Sequence, residues 1–390
     1  MVNKLFLLIS LTFLFNFAQK SEIDKMISEI PSVTKTSIII SDFSKDKIIY
    51  SRNIDKKIIP ASIVKIFTAA MFLDLPNSEN AFKTSIFISD SIFPNHQLNG
   101  NLIIVFRANP LFDEKEARSI VQAIKNLGIK EVRGKLIFDE SYFDSDSAKI
   151  VHQKGEKDNL KVPPISALIY KRNRNPKFRF ELHEFFKSEF AKNGIIFKEN
   201  EIESKGKILI SEIKPNVDEI LAKMLKESDN FIAEIVLKIC GTEFWGIPGE
   251  NEKSISVRNL FLSKIGIEKN SIRLVDGSGI SRHNQISAKS VFQLIEYLHS
   301  NSKKWERFVN FFSISGIDGT LKNRFLDSEL KGKFKGKTGM LFATSALVGI
   351  FTSKNGDEIL SIILFETDGN NSDKVNNLQE KLVEYFYKNY

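Results

Sequence analysis

The sequence predicts an α+β protein with α/β character in one part: an antiparallel sheet covered by helices, from which a smaller α/β insert projects. Three observations carry this. Strand-like runs stand at both ends of the chain, amphipathic helices lie between them, and from about Phe82 the text changes to short strands around a helix. At 390 residues the chain exceeds one ordinary core, so two domains, or one with a large insert, are the starting expectation.

The elements follow in order. "MVNKLFLLISLTFLFNFAQK" has a Lys, an apolar run from Leu5 to Phe15, then Asn16-Phe17-Ala18. That is the three-part pattern of a secretory signal peptide over residues 1–18, with cleavage expected after Ala18 and an exported product. The run is short for a membrane span, although a retained N-terminal anchor is the alternative. No Cys follows it, so lipid attachment is not indicated. "TSIIISDFSKDKIIYSRN" reads as two strands around a polar turn at Ser44 to Asp46. A helix with "IPASIVKIFTAAMFLD" follows. "LIIVF" and "GKLIFDESYFD" are strands, separated by the helix "KEARSIVQAIKNLGI", which ends at a Gly. "FFKSEFAKNGI" reads as a further helix. Long amphipathic helices return in "VDEILAKMLKESDNFIAEIVLKICG" and "ISAKSVFQLIEYLHS". "GKFKGKTGM", "SALVGIFTS" and "EILSIILFE" are strands, the last two joined at Asn355-Gly356, a hairpin-turn pair, and "DKVNNLQEKLVEYFYKNY" is a terminal helix.

Composition narrows the function classes. A hydrophobic fraction of 42% marks a globular chain and excludes disorder. The net charge of +8 comes from lysines spread along the chain, a surface that suits an anionic polymer or peripheral membrane contact as well as nucleic acid. The single cysteine, Cys240, excludes an intramolecular disulfide and reads as a buried small hydrophobe. Five scattered His residues form no ligand pair, so neither metal nor cofactor is implied.

The helix at Ile59 to Asp74 carries Ser62 and Lys65 one turn apart on one face. The same spacing recurs at Ser44 and Lys47, Ser204 and Lys207, and Ser300 and Lys303, so spacing alone proves little. What differs is the setting. Ile63, Val64, Ile66 and Phe67 would strip water from the amine, and desolvation lowers a lysine pKa toward a base's range. Pro60 suits a first helical turn, which places Ser62 near the positive end of the helix dipole as a nucleophile candidate. Ser228 and Asn230, at a break between helical runs, can project together into a cleft, or the segment can be a helix cap. Lys337 and Thr338 can hold a carboxylate, and Gly339 admits a close backbone neighbour. An edge strand guarded by lysines is the other reading of that stretch.

Together these segments run Ser-x-x-Lys, Ser-Asp-Asn, Lys-Thr-Gly, the set of penicillin-binding proteins and serine β-lactamases. With "LVDGSGISRHNQIS", "SGIDGTLKNRF" and "GKTGMLFATSALVGIF", and "GNLIIVFRANPLF" and "VPPISAL" in the insert, the chain resembles the D-alanyl-D-alanine carboxypeptidases/endopeptidases of the penicillin-binding protein 4 (DacB) type, among the class C low-molecular-mass penicillin-binding proteins. The resemblance spans nearly all of the chain after the signal. It implies a penicillin-binding transpeptidase-like, β-lactamase-like domain over 19–81 and 206–390, an insert over 82–205, and no extra small domain within that insert.

By resemblance, Ser62 attacks the carbonyl of the penultimate D-Ala of a peptidoglycan stem peptide and Lys65 takes its proton. Ser228 relays a proton to the leaving amine, Asn230 orients substrate and lysine, and Lys337 with Thr338 holds the terminal carboxylate. Gly339 and Met340 adjoin the substrate, and the Ser62 and Met340 N–H groups form the oxyanion hole. Asp229 faces away. Arg282 and Ile280 line the stem pocket, although "DGSG" by itself reads as a tight loop. Asp139 meets the amino group of a diaminopimelyl stem, with Glu140 the competing choice. "RANP" replaces the family's Gly-Asp-Pro turn, and Met340 and Phe342 replace smaller, more polar residues, so Phe342 is expected to narrow the stem pocket. The implied function is a periplasmic serine carboxypeptidase, with or without DD-endopeptidase activity, acylated by β-lactams and having no nucleic-acid partner. A serine β-lactamase and a catalytically silent peptidoglycan-binding protein are the alternatives.

Overall fold

Helical turns over 21–28 (α1) lead into β1 (Val33–Asp42) and β2 (Lys47–Arg52), a hairpin around the expected polar turn. The computed structural model describes residues 21–92, 94–144, 162–370 and 372–390. The expected signal peptide lies outside them. A 3-10 turn, Ala61–Ile63, opens α2 (Val64–Leu73). Next come β3 (Thr84–Ile88), β4 (Gln97–Leu98) and β5 (Leu102–Val105), then α3 (Glu114–Asn126), started by a capping box between Asp113 and Glu116. β6 (Glu131–Val132), β7 (Leu136–Asp139), α4 (Phe178–Lys192), β8 (Ile196–Phe197) and β9 (Ile208–Ile213) follow. The remainder comprises α5 (Val217–Lys226), α6 (Asn230–Trp245), α7 (Asn251–Lys264), α8 (Ala288–His299), α9 (Ser302–Val309), β10 (Ser313–Ile314), β11 (Lys335–Leu341), β12 (Thr344–Thr352), β13 (Glu358–Thr367) and α10 (Ser372–Asn389).

The main sheet runs β10-β11-β12-β13-β1-β2, and each neighbouring pair is antiparallel, as the strand runs at both chain ends predicted. It is covered on both faces, and the period of two decides which side chain meets which layer. Ile39, Val348, Ile362 and Leu364 face a core shared with α2, α5, α6 and α8. Ile38, Ile40, Leu347, Ile363 and Phe365 face the opposite core, closed by Ile23 and Ile27 of α1 and Val375, Leu382 and Phe386 of α10. Gly356, at φ +89, makes the expected turn between β12 and β13.

The insert builds a second sheet, β7-β5-β3-β9, and a small parallel one, β4-β6-β8, around a separate core with α3 and α4. Two features differ from expectation. β9, which a boundary at 206 assigns to the main unit, pairs with β3 of the insert. And α7 was not foreseen, because its buried face carries polar Ser254 and Arg258 between Val257, Phe261 and Leu262, which hides the helical period. At "RANP", Ala108 takes φ +54, where a glycine is at ease, and the Asn109 side chain accepts from the Leu111 N–H at 3.0 Å as an aspartate would. Cys240 is fully buried.

Candidate active site

Ser62 sits in the 3-10 turn ahead of α2, with Pro60 as its cap, so the nucleophile candidate lies just before the α-helix and not within its first turn. Lys65, one turn on, has no exposed surface. Its Nζ lies 3.0 Å from Ser62 Oγ, 2.7 Å from Asn230 Oδ1 and 2.5 Å from the Ser278 carbonyl oxygen. Burial pushes the amine down to about 8, against the pull of the Asp276, Glu234 and Asp229 carboxylates. Ile63, Val64 and Ile66 are buried along with every residue of α2.

Ser228 breaks the run between α5 and α6 with φ +57. Both readings of this segment hold, divided among its residues. Asp229 caps α6 by accepting from the Ile232 N–H at 3.0 Å, and the Arg172 guanidinium pairs with it at 2.7 Å while stacking on the Phe231 ring. Its neighbours point the other way. Asn230 reaches Lys65, and Ser228 Oγ lies 3.0 Å from Lys337 Nζ.

Lys337 is as buried as Lys65 and also donates to the Thr338 carbonyl at 2.6 Å. Burial, with the Lys65 charge beside it, holds its amine well below the ordinary lysine range. The Thr338 hydroxyl pairs with Thr320 at 2.8 Å. Gly339 is the contact point between strand and nucleophile turn: a Cβ there would lie 2.5 Å from the Pro60 carbonyl oxygen and 3.3 Å from the Ile63 nitrogen. Met340 and Phe342 are exposed, and the Phe342 ring rests against Gly369 at the far end of β11.

The loop "DGSGISR" closes the back of the site. Gly279, at φ +85, would place a Cβ only 1.9 Å from the Ala61 carbonyl oxygen, so the glycine lets this backbone touch the nucleophile turn. Asp276 holds the loop by accepting from the Gly279 and Ser281 N–H groups at 2.7 Å each and from Asn284 at 2.9 Å. Buried Glu234 accepts from the Gly277 and Ser278 N–H groups, which aims the Ser278 carbonyl at Lys65. Burial, with Asp276 nearby, raises its carboxyl to about 7. Ile280 is buried in this loop, and Arg282 donates to the Phe342 carbonyl at 2.7 Å, tying the loop to the end of β11.

Ser62, Lys65, Ser228, Asn230, Lys337 and Gly339 therefore converge, with Thr338, Ile280 and Arg282 on the loops and strand around them. Asp139 lies on β7 of the insert, its carboxylate bonded to Ser141 and to Lys207 at 2.8 Å, and Glu140 is bound by Arg179. Sequence reasoning passed over Arg172, Glu234, Ser278 and Thr320. Glu234 had a readable signal: a charge inside the apolar run of α6, four residues after Asn230, as unusual there as Lys65 is in α2.

Comparison with known proteins bears on the family and the fold. The model of the D-Ala-D-Ala carboxypeptidase 3 (S13) family matches residues 19–178 and 177–388. The D-alanyl-D-alanine carboxypeptidase DacB of Haemophilus influenzae is 23% identical, over 90% of this chain and 89% of its own length. A D-alanyl-D-alanine carboxypeptidase of Actinomadura sp. is 22% identical over 84% of this chain and 77% of its own. Among solved structures, penicillin-binding protein 4 (dacB) from H. influenzae superposes with a TM-score of 0.77 at 19% identity, covering 94% of this chain and 99% of that one. A predatory peptidoglycan endopeptidase from Bdellovibrio bacteriovorus superposes with a TM-score of 0.59 at 16% identity, covering 91% and 94%. The first of these shares the sheet and insert arrangement described above, so the fold is that of penicillin-binding proteins. With a family match that spans both halves of the chain, this protein belongs to the D-Ala-D-Ala carboxypeptidase 3 (S13) family of serine-type carboxypeptidases.

Proposed function

We propose that the chain cleaves the terminal D-Ala from peptidoglycan stem peptides through an acyl-enzyme on Ser62. The observation that carries this is the pair of buried lysines from distant parts of the sequence, one on Ser62 and one on Ser228. Proton accounting supports Lys65 as the base. A neutral amine has two N–H donors and one lone pair; Asn230 Oδ1 and the Ser278 carbonyl take the donors, which leaves the lone pair for the Ser62 hydroxyl. Ser62 Oγ gives its proton to Lys65 as it bonds to the carbonyl carbon, with the Ser62 and Met340 N–H groups receiving the oxyanion. The C–N bond then breaks, and the proton that Lys65 took passes through Ser228, which Lys337 holds in place, to the D-Ala amine, leaving Lys65 neutral again. Lys337 and Thr338 also bind the substrate's terminal carboxylate. Water hydrolyses the ester and frees Ser62.

We further assign Arg282 and Ile280 to the stem pocket, keep Asp139 as the contact for a stem amino group, and read β-lactams as inhibitors that acylate Ser62. Cross-linked stems are the expected substrates of a second, endopeptidase activity. The insert is taken to run from about 82 to 213, to include β9, without the small domain of longer relatives. The leader pattern supports an exported, periplasmic protein. Among the described residues no helix is long and apolar enough to cross a membrane.

Intact-protein mass after incubation with a labelled penicillin tests the assignment. A stable adduct that Ser62→Ala abolishes, together with D-Ala release from a pentapeptide, is the expected result. Fast loss of the adduct with penicillin hydrolysis would replace the carboxypeptidase by a β-lactamase, and absence of any adduct would replace it by a silent wall-binding protein.

A further inference from the structure

A cavity of about 570 Å³, in which Ser62 takes no part, lies between α6, α7 and the loop over 267–283. Its walls are apolar, from Leu237, Leu262, Ile267, Ile272 and Leu274, while exposed Lys269 and Arg273 stand at its mouth. Its size is that of small-molecule sites. Arg258 lines it and is only 5% exposed. One guanidinium nitrogen donates to the Asp276 carbonyl at 3.2 Å, and the buried Nε has no hydrogen-bond partner.

A buried guanidinium has five N–H donors, and leaving them unmet is costly. The Asp276 and Glu234 carboxylates are close enough to favour its charge, but their oxygens are directed at the backbone of Gly277 to Ser281. Burial pushes Arg258 down to about 10, so it is a cation at neutral pH. Of the two buried cations among the described residues that line the cavity, Lys238 is paired with Asp144 at 2.7 Å and Arg258 has no carboxylate bound to it, so with further positive charge at the mouth the site calls for one negative charge on an apolar body. A phosphate is disfavoured, because its second charge would sit near two carboxylates and it would leave the apolar walls wet.

We propose that this cavity binds a small amphipathic carboxylate, its anionic end on Arg258 and its hydrocarbon against Leu262, Ile267 and Ile272. The site is independent of the role assigned to Ser62. The test is calorimetry of the whole protein with decanoate below its micelle concentration, beside acetate and inorganic phosphate. Saturable one-to-one decanoate binding is expected, with acetate and phosphate much weaker. Arg258→Met should weaken binding by about tenfold or more, the worth of a charged hydrogen bond. Leu262→Trp, which fills the cavity, should do the same, and it carries the test if Arg258→Met fails to fold by thermal melting. No saturable decanoate binding, equal affinity for acetate or phosphate, or affinity unchanged in the folded variants would overturn the proposal.

Discussion

At the scale of single residues, the site is two amines held where water cannot reach. For Lys65 the folded pKa is about 8, below the ordinary 10.5, because burial disfavours its charge. If the neutral amine is the base, the rate of penicillin acylation should rise with pH through about 8 and level off above it, as measured by stopped-flow labelling. Linkage fixes a second sign. Between about 8 and 10.5 the unfolded chain binds more protons at this lysine than the native one, so folding gains stability as pH rises there. Lys65→Met, which removes the titration, should therefore show a stability advantage over wild type, or a smaller deficit, at pH 7 that shifts toward wild type by pH 10. A gap in denaturation midpoints that stays constant with pH would count against a buried, titrating Lys65. The same variant should lose acylation by roughly a thousandfold or more.

At the scale of elements, close approach of backbones sets the geometry, and two glycines permit it. Gly339→Ala puts a methyl 2.5 Å from the Pro60 carbonyl and must push β11 off the nucleophile turn. Acylation should fall by about a hundredfold, the usual cost of a misplacement near 1 Å, with a smaller loss of melting temperature. Gly279→Ala adds a left-handed strain to a 1.9 Å clash and should lose both activity and stability. Gly246, at φ +88 with nothing within 4 Å, is the control: Gly246→Ala should cost stability through backbone strain alone and leave acylation near wild type. Arg172 acts on the element between α5 and α6. It grips Asp229 from the insert side, so Arg172→Ala should slow acylation by disturbing Ser228 and Asn230, and rescue by Lys should be partial because the bond and the stacking on Phe231 need the planar group.

At the scale of the whole molecule, the insert is not a detachable ornament. Its sheets enclose a core of their own, yet Ala108, Tyr142, Phe143, Ile165, Ala167 and Ile169 pack into the core that carries α2 and α6. Each large apolar side chain so buried is worth about 1.5–3 kcal/mol. Replacing residues 82–213 by a short linker should thus yield an insoluble or unfolded chain, read by solubility and circular dichroism. A soluble, cooperatively melting remnant that still takes up penicillin would show the two units to be independent.

The sequence by itself determined the sheet and most of the site. Near-continuous apolar runs in β1, β12 and β13 report two-sided burial, and Asn355-Gly356 reports the hairpin, because these depend on neighbours a few residues apart. Ser62 with Lys65 was legible for the same reason, since one helical turn joins them and their apolar surroundings are local text. Ser228, Asn230, Lys337 and Gly339 were legible as motifs, but their meeting was not. Only the tertiary structure decided that Asn230 and Ser278 take the donors of Lys65, that Arg172 braces Asp229 across the insert, that β9 joins β3, and that Arg258 lies buried at the floor of an apolar cavity. Each of these joins residues far apart in the chain, and neither periodicity nor propensity carries information about such distances.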